Sequence, residues 1–396
     1  MKKRILFVDD EAMVLQGLQR MLRSMRAEWE MEFVESAEAA LALLDKKPFD
    51  VIVSDMRMPR MNGAELLAEV MKRHPTTVRL ILSGYADKDL ILKCVGSTHQ
   101  YLAKPCDAES LKATVARASN LEDSLRNGRL KTLVCQMTRL PSIPKLYMEV
   151  VEKASRADTS VEEIGAIIGR DISMTVQVLK LTNSAFFGLS RQFSSASEAV
   201  AYLGLDTIKS LVLSIHAFSQ FDKSETGAFK IESLWNHSLQ VARSAKRISK
   251  LEGQEPKAVE ESFTAGLLHD IGKLVLAVNM PKEYTEVIRL AESGLELPQA
   301  EHQVFGANHA DVGGYLIGLW GLPVPVVEAV ALHHCPGRAT QLTFSPLTSV
   351  HAANVLEWER PDAGNGVPPP LLDDAYLGQV GVSSRLSAWR KALAEL

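Results

Sequence analysis

Two periodicities divide the chain. Over the first 120 residues short apolar runs alternate with helical patterns, and from Leu130 onward the strand pattern fades while amphipathic helical windows take over. The runs Arg4–Asp9, Glu32–Glu35, Val51–Asp55, Arg79–Ser83 and Gln100–Ala103 predict strands. Between and after them Ala12–Arg26, Ala37–Asp45, Asn62–Arg73, Lys88–Val95 and Ala108–Asn120 carry apolar residues at helical spacing. Five β units alternating with helices predict a doubly wound parallel sheet. Right-handed crossovers then gather the strand C-termini on one rim. Helical sequence continues through Ala108–Arg126 to the stop signal Asn127-Gly128. The windows Lys145–Arg156, Val161–Arg170, Ser173–Asn183 and Leu205–Phe218 predict an all-α second domain. The expected division is residues 1–120, a helical linker over 121–138, and 139–396 with a C-terminal extension. A helix across the boundary would pass movement onward, and a plain linker fits the pattern equally. Arg360–Pro370 reads as an exposed loop, and Ser383–Leu396 as a last amphipathic helix with Trp389 and Leu393 packed inward.

Composition narrows the class. At 396 residues the chain is too long for one ordinary core, and 46% apolar with 23% charged residues is the balance of soluble globular protein. No apolar run approaches the roughly 20 residues a membrane helix needs. Met1-Lys2-Lys3-Arg4 leads straight into a strand pattern, so no signal peptide and a cytoplasmic location are expected. The cysteines Cys94, Cys106, Cys135 and Cys335 lack CxxC spacing, against both a disulfide framework and a cysteine zinc knuckle. Net charge is −4, and after residue 120 there are 26 Lys+Arg against 31 Asp+Glu, without a dense basic run. No DNA binding is expected of such a chain.

Candidate chemistry collects at the strand ends. Asp9 and Asp10 end the first strand, Asp55 the third and Ser83 the fourth, and Lys104-Pro105 follows the fifth. Asp55 alone is equally a turn residue before Pro59. In this company it reads differently. Converging carboxylates repel, and a hard cation such as Mg²⁺ relieves them. A lysine and a hydroxyl beside them would hold phosphoryl oxygens, and an Asp carboxylate is itself a nucleophile able to form an aspartyl phosphate. The set Val8-Asp9-Asp10-Glu11, Ser54-Asp55-x-x-x-Pro59, Gly63, Ser83 and Lys104-Pro105 resembles the receiver domain of two-component response regulators across residues 1–120. The strand order 2-1-3-4-5 comes with that resemblance. It implies Asp55 as phosphoacceptor, Asp9 and Asp10 holding Mg²⁺ with it, Lys104 and Ser83 meeting the phosphoryl group, and Tyr101 as an aromatic switch. It also implies a histidine kinase as phosphodonor, and it leaves room for a homodimer through one receiver face.

In the second half, Leu140–Pro144, Asp171, Leu181–Ala185 and Ala199–Gly204 resemble the HDOD domain, an output module related to HD phosphohydrolases. Asn183-Ser184 reads as a cap or backbone anchor. The histidines are more pointed. His237 lies in the helical window Ser233–Lys250, His269-Asp270 in Ala265–Lys273, and His309 in Asn308–Tyr315. His333-His334 ends Val326–His334, and His351 and Asn354 follow after a loop. Imidazoles with a carboxylate suit Fe, Mn, Zn or Ni, and such a site activates water for phosphoester hydrolysis. Singly, each histidine is an ordinary core or surface residue. As an ordered set, His237, His269, Asp270, His309, His333 and His334 resemble the metal-binding pattern of the HD superfamily. Asn354 stands where that pattern has an aspartate, and Cys335-Pro336-Gly337-Arg338 replaces the acidic and Gly-Tyr-Pro elements of cyclic-di-GMP phosphodiesterases. Lys273 fits the HDxGK pattern as a phosphate contact or a surface cation. The leading expectation is a response regulator whose HDOD output works through an unknown protein partner. The alternative is a phosphorylation-regulated metal-dependent phosphohydrolase, with a nucleotide or cyclic dinucleotide as a conceivable substrate.

Overall fold

A computed structural model describes residues 2–83, 97–104, 108–120, 128–137, 140–141, 149–150, 153, 159–183, 192–204, 208, 218–219, 229–359 and 368–395. The N-terminal sheet comprises β1 (Lys3–Val8), β2 (Trp29–Val34), β3 (Val51–Asp55), β4 (Val78–Ser83) and β5 (Gln100–Ala103). All pairings are parallel, in the order β2-β1-β3-β4-β5. The inner strands β3 and β4 are buried on both faces, which explains their unbroken apolar runs. Helices α1 (Ala12–Met21), α2 (Ala37–Leu44), α3 (Gly63–Arg73) and α4 (Ala108–Asn120) connect and follow the strands. α3 begins with a capping box in which Asn62 and Glu65 satisfy each other's backbone amides. Registers pair Val8 with Ser54, Asp55 with Leu82 and Ser83 with Ala103. Asp9, Asp55, Ser83 and Lys104 therefore come out on one rim.

Two boundaries differ from the sequence reading. β2 is an edge strand that starts at Trp29 and ends at Val34, because Trp29 is buried while the rest is half-exposed. α1 stops at Met21 and the chain tightens into a 3-10 turn over Arg23–Ala27. The window Lys88–Val95 lies outside the described residues, as do most of Lys145–Arg156, Leu205–Phe218 and Arg360–Pro370.

The second half is helical: α5 (Gly128–Gln136), α6 (Val161–Ile168), α7 (Ile172–Thr182), α8 (Ala196–Leu203), α9 (Ile231–Leu251), α10 (Pro256–Leu268), α11 (Ile271–Asn279), α12 (Pro281–Glu292), α13 (Leu297–Phe305), α14 (His309–Leu319), α15 (Val324–Leu332), α16 (Pro346–Trp358), α17 (Asp374–Val380) and α18 (Leu386–Ala394). One departure from an all-α region is a two-residue parallel pairing of β6 (Leu140–Pro141) with β7 (Phe218–Ser219). Asp171 caps α7 by accepting from Met174 N at 2.8 Å, and Asn183 anchors the Phe193 backbone through both ends of its amide. α9, α10 and α16 pack together, and α18 closes on α9, where Glu252 accepts from Trp389 Nε1 (2.7 Å) and Arg385 Nε (2.8 Å). Among the described residues no helix is long and apolar enough to cross a membrane.

Every residue of α14 except the half-buried Asp311 is buried. Each large aliphatic on such a helix contributes roughly 1.5–3 kcal/mol by leaving water, so α14 is fixed by packing on every side. It touches α11 and α15, and also α4 and α5 beside the sheet. Beyond its C-terminal end Trp320 lies beneath Lys180 Nζ, 4.8 Å from the ring. The receiver-side contacts are specific. Gln100 Nε2 donates to Leu319 O at 3.0 Å. Arg79, 1% exposed, donates to Ser97 O (2.7 Å), Thr77 O (3.1 Å), Pro75 O (3.3 Å) and Cys135 O (2.5 Å). His99 Nδ1 accepts from Arg79 N at 3.0 Å, which puts its proton on Nε2, facing Cys135 O at 3.1 Å. Cys135 Sγ in turn meets the Tyr315 hydroxyl on α14 at 3.4 Å.

Candidate functional sites

At the sheet rim, Lys104 bonds Asp9 Oδ2 at 2.7 Å and makes a close ion pair with Asp55. Asp9 is oriented by accepting from Glu11 N (3.0 Å), and Asp55 by accepting from Arg57 N (2.7 Å). Burial pushes the Asp55 carboxyl up, with Lys104 opposing it. Burial also works against the Lys104 ammonium, yet Asp55 and Asp9 more than offset this and raise it. The lysine is thus a fixed cation between two carboxylates. Asp10 stands exposed at the same edge, while Ser83 and Tyr101 are 1% exposed on β4 and β5. Gly63 allows the close approach of α3: a Cβ there would run into the Asp55 carbonyl.

The second site lies where α9, α10, α11, α14, α15 and α16 converge. His269 ends α10 and Asp270 opens α11, so the doublet occupies the break between two helices and not one continuous helix. Around the Asp270 carboxylate stand four imidazole Nε2 atoms. His309 is 3.1 Å and His333 3.9 Å from Oδ1, and His269 is 3.4 Å and His237 3.8 Å from Oδ2. His334 Nε2 lies 2.9 Å from His309 Nε2. Two sets, His237/His269/Asp270 and His309/His333/His334, each bring three ligand atoms within 4.8 Å of one another. The expected histidines, scattered over about a hundred residues, thus form one centre.

The ring protons are assigned by their partners. His269 Nδ1 faces Gly266 O and His333 Nδ1 faces Val330 O, both at 2.8 Å. A carbonyl only accepts, so each neutral ring carries its proton on Nδ1 and turns the Nε2 lone pair inward. Burial holds His269 down at about 3 and, with neighbouring imidazoles, keeps His333 and His334 well below the ordinary histidine range. They are neutral at neutral pH. His269 Nε2, His333 Nε2 and Asp270 Oδ1 are buried without a hydrogen-bond donor. Each such atom costs about 1–3 kcal/mol when unpaired, and a cation at the centre would satisfy all three. The donor set therefore fits a transition metal by the nature of its atoms.

The other candidates have different duties. Lys273 Nζ bonds Asp270 Oδ2 at 2.6 Å, so its charge is engaged by the doublet. Asn354, 4% exposed, places Oδ1 3.1 Å from His237 Nε2, the nitrogen His237 would offer to a metal. His351 stands behind the centre: its Nδ1 donates to His333 O (2.8 Å) and its Nε2 accepts from Asp373 N (3.0 Å). In front of the centre a cleft of about 320 Å³ is lined by His237, Asp270, Lys273, Tyr284, Phe229 and Trp358. Gly272 is required here, because a Cβ would lie 2.7 Å from His309 C and closer still to its carbonyl oxygen. Gly272→Ala is expected to push α11 off α14, cost roughly 1–3 kcal/mol as overpacking does, and loosen the centre. Thermal melting and metal titration of that variant check it.

Sequence reasoning missed Glu301 and Tyr284. Glu301, 0% exposed on α13, accepts from His309 N (2.8 Å) and Nδ1 (2.6 Å) at Oε2, and from Tyr284 OH (3.1 Å) at Oε1. Neither belongs to a motif. Their signal would have been a lone acid facing inward on a helix that otherwise reads as surface.

Comparison with known proteins finds two family matches. Residues 5–116 match the response regulator receiver domain family and residues 140–336 the HDOD domain family. An uncharacterized protein of Treponema pallidum (strain Nichols) is 24% identical over 265 residues, 66% of this chain and 51% of its own. The hydrogenase transcriptional regulatory protein HoxA of Cupriavidus necator is 40% identical over 116 residues, 29% of this chain and 23% of its own. The chain thus spans about half or less of these curated relatives. The crystal structure of the MmoQ response regulator from Methylococcus capsulatus str. Bath is 26% identical and aligns over 64% of this chain and 98% of its own, with a TM-score of 0.48.

Proposed function

We propose that this chain, which belongs to the response regulators and carries an HDOD output domain, changes its output when a histidine kinase phosphorylates Asp55, and that the output acts mainly through binding a protein partner. The observation that carries the proposal is Lys104 held between Asp9 and Asp55 at the sheet rim. In the transfer, an Asp55 carboxylate oxygen forms the new P–O bond as the P–N bond of a phosphohistidine breaks and its imidazole leaves. Asp9, Asp10 and Asp55 are the residues that would hold Mg²⁺, which supplies charge neutralisation to such transfers. Lys104 would hold a phosphoryl oxygen, with Ser83 and Tyr101 as the responding pair. Support for a binding role comes from Asn354 and Lys273, which are engaged by His237 and Asp270 respectively. The test is labelling by a small phosphodonor such as acetyl phosphate. Wild type should label and Asp55→Asn should not; equal labelling of the two would refute the assignment.

A second reading, a metal-dependent phosphohydrolase, is favoured by the three buried unpaired atoms at the histidine centre. His237, His269, Asp270, His309, His333 and His334 would hold Fe, Mn, Zn or Ni, which supplies activation of water. This reading makes Asn354 a weak point, since a neutral amide replaces an anionic ligand. Asn354→Asp is therefore expected to tighten Mn²⁺ binding by about tenfold, the worth of one charge-assisted contact. An unchanged affinity would remove residue 354 from the centre.

A further inference from the structure

We propose that Glu301 is a positioning residue of the histidine centre: it fixes the ring of His309 and passes its negative charge through that ring to Nε2. The inference rests on the reading of this cluster as a metal site, and goes beyond it by assigning a role to a residue outside the ligand set. Three observations carry it. Glu301 and His309 are both 0% exposed, so neither has water to solvate it. A single oxygen, Oε2, accepts from both the backbone N and the ring Nδ1 of His309, which fixes where the ring begins and which way it faces. The other oxygen accepts from the Tyr284 hydroxyl. The carboxylate is thus held at both ends by α12 and α14.

The consequence follows from the chemistry of imidazole. With Nδ1–H directed at a carboxylate, Nε2 bears the lone pair and becomes a more basic ligand. In this fold that lone pair faces Asp270 Oδ1 at 3.1 Å and His334 Nε2 at 2.9 Å. A negative oxygen and a second ring nitrogen so close to a lone pair call for a shared positive centre, a proton or a metal cation, among them. The set His309/His333/His334 contains three imidazoles and no carboxylate of its own. Glu301, behind His309, supplies the missing anionic charge without entering the coordination sphere.

Charge and shape are separable by substitution. In Glu301→Gln the amide oxygen still accepts both His309 donors, and the amide nitrogen still donates to the Tyr284 oxygen. The geometry survives and the charge does not. The experiment is titration of metal-stripped full-length chain with Co²⁺, read by its visible ligand-field absorption, alongside circular dichroism and melting. Glu301→Gln should keep its fold and bind Co²⁺ 10–100-fold more weakly, the usual loss on altering such an outer partner. Glu301→Asp, which restores the charge on a shorter arm, should recover part of that affinity. Tyr284→Phe, which leaves the carboxylate in place, should weaken binding less than Glu301→Gln. Wild-type affinity in a folded Glu301→Gln chain overturns the role of Glu301 and leaves the metal reading standing. Failure of folded wild type to bind Co²⁺ overturns both. If Glu301→Gln does not fold, Tyr284→Phe and Glu301→Asp decide: wild-type affinity in both also overturns the proposal.

Discussion

Replacing His269 and Asp270 together by alanine is expected to abolish transition-metal retention. Protein purified without chelator should carry metal by elemental analysis, and the double variant none. The argument is geometric. Among the described residues Asp270 is the one carboxylate that four imidazole Nε2 atoms approach within 4 Å, and it faces both ligand sets. His269 contributes a buried Nε2 with no other use. Removing both leaves His237 alone in the first set and takes from the second the carboxylate that His309 and His333 face. Stability should follow occupancy: a ligand present at 1,000 times its dissociation constant stabilises the folded state by about 4 kcal/mol. A chelator should therefore lower the melting temperature of wild type and leave the double variant unmoved. Metal in the wild type would justify a phosphodiester substrate screen. Its absence from both proteins would sink the hydrolase reading, and the useful search would be for a partner that distinguishes phosphorylated from unphosphorylated Asp55.

The two sites were legible to different depths, for physical reasons. Asp9, Asp55, Ser83 and Lys104 could be placed because a parallel strand is a short apolar run with a sharp end, and right-handed crossovers send every end to one rim. The histidine set was readable as a series of residue types, but its geometry was not. The doublet His269-Asp270 sits in a helix break that helical spacing alone does not reveal. Asn354 was visible as a departure; its contact with His237, 117 residues earlier, was not. Glu301 escaped for a plainer reason. Buried acids are rare, so a glutamate in Leu297–Phe305 is read as solvent-facing until the fold supplies its histidine. The same limit hid the Arg79 network, whose partners Ser97, His99 and Cys135 become neighbours only after the sheet and α5 have packed.

That network yields the second large effect. Arg79→Met is expected to destabilise the protein by about 3 kcal/mol and to free α5 from the sheet. Burial draws the guanidinium down only to about 10, so it remains charged at neutral pH. Among the described residues its side chain reaches four backbone carbonyls and, through Nη2, lies 2.9 Å from His99 Nε2; it has no carboxylate partner. Methionine fills much of the volume but donates nothing. Cys135 O keeps the His99 ring as a donor, whereas Ser97 O, Thr77 O and Pro75 O each lose one. An unpaired buried carbonyl costs about 1–3 kcal/mol. Part of that is recovered because a buried cation no longer has to be desolvated, which sets the net near 3 and not near 9. The loss should be local as well as global. Cys135 is the contact through which the sheet reaches Tyr315, and α14, which carries Tyr315, begins at His309 and ends at the carbonyl held by Gln100. Hydrogen exchange should therefore rise first in α5 and at the C-terminal end of α14, with Gln100→Ala giving a smaller change confined to the latter. Phosphorylation of Asp55 should alter exchange in α14 of the wild type and have less effect there in Arg79→Met, because β4 and β5 lead to Ser83 and, just past β5, Lys104 at one end and carry Arg79 and Gln100 at the other. Equal melting temperatures and equal exchange in the two proteins would show that this contact is dispensable and that the domains are held by apolar packing alone.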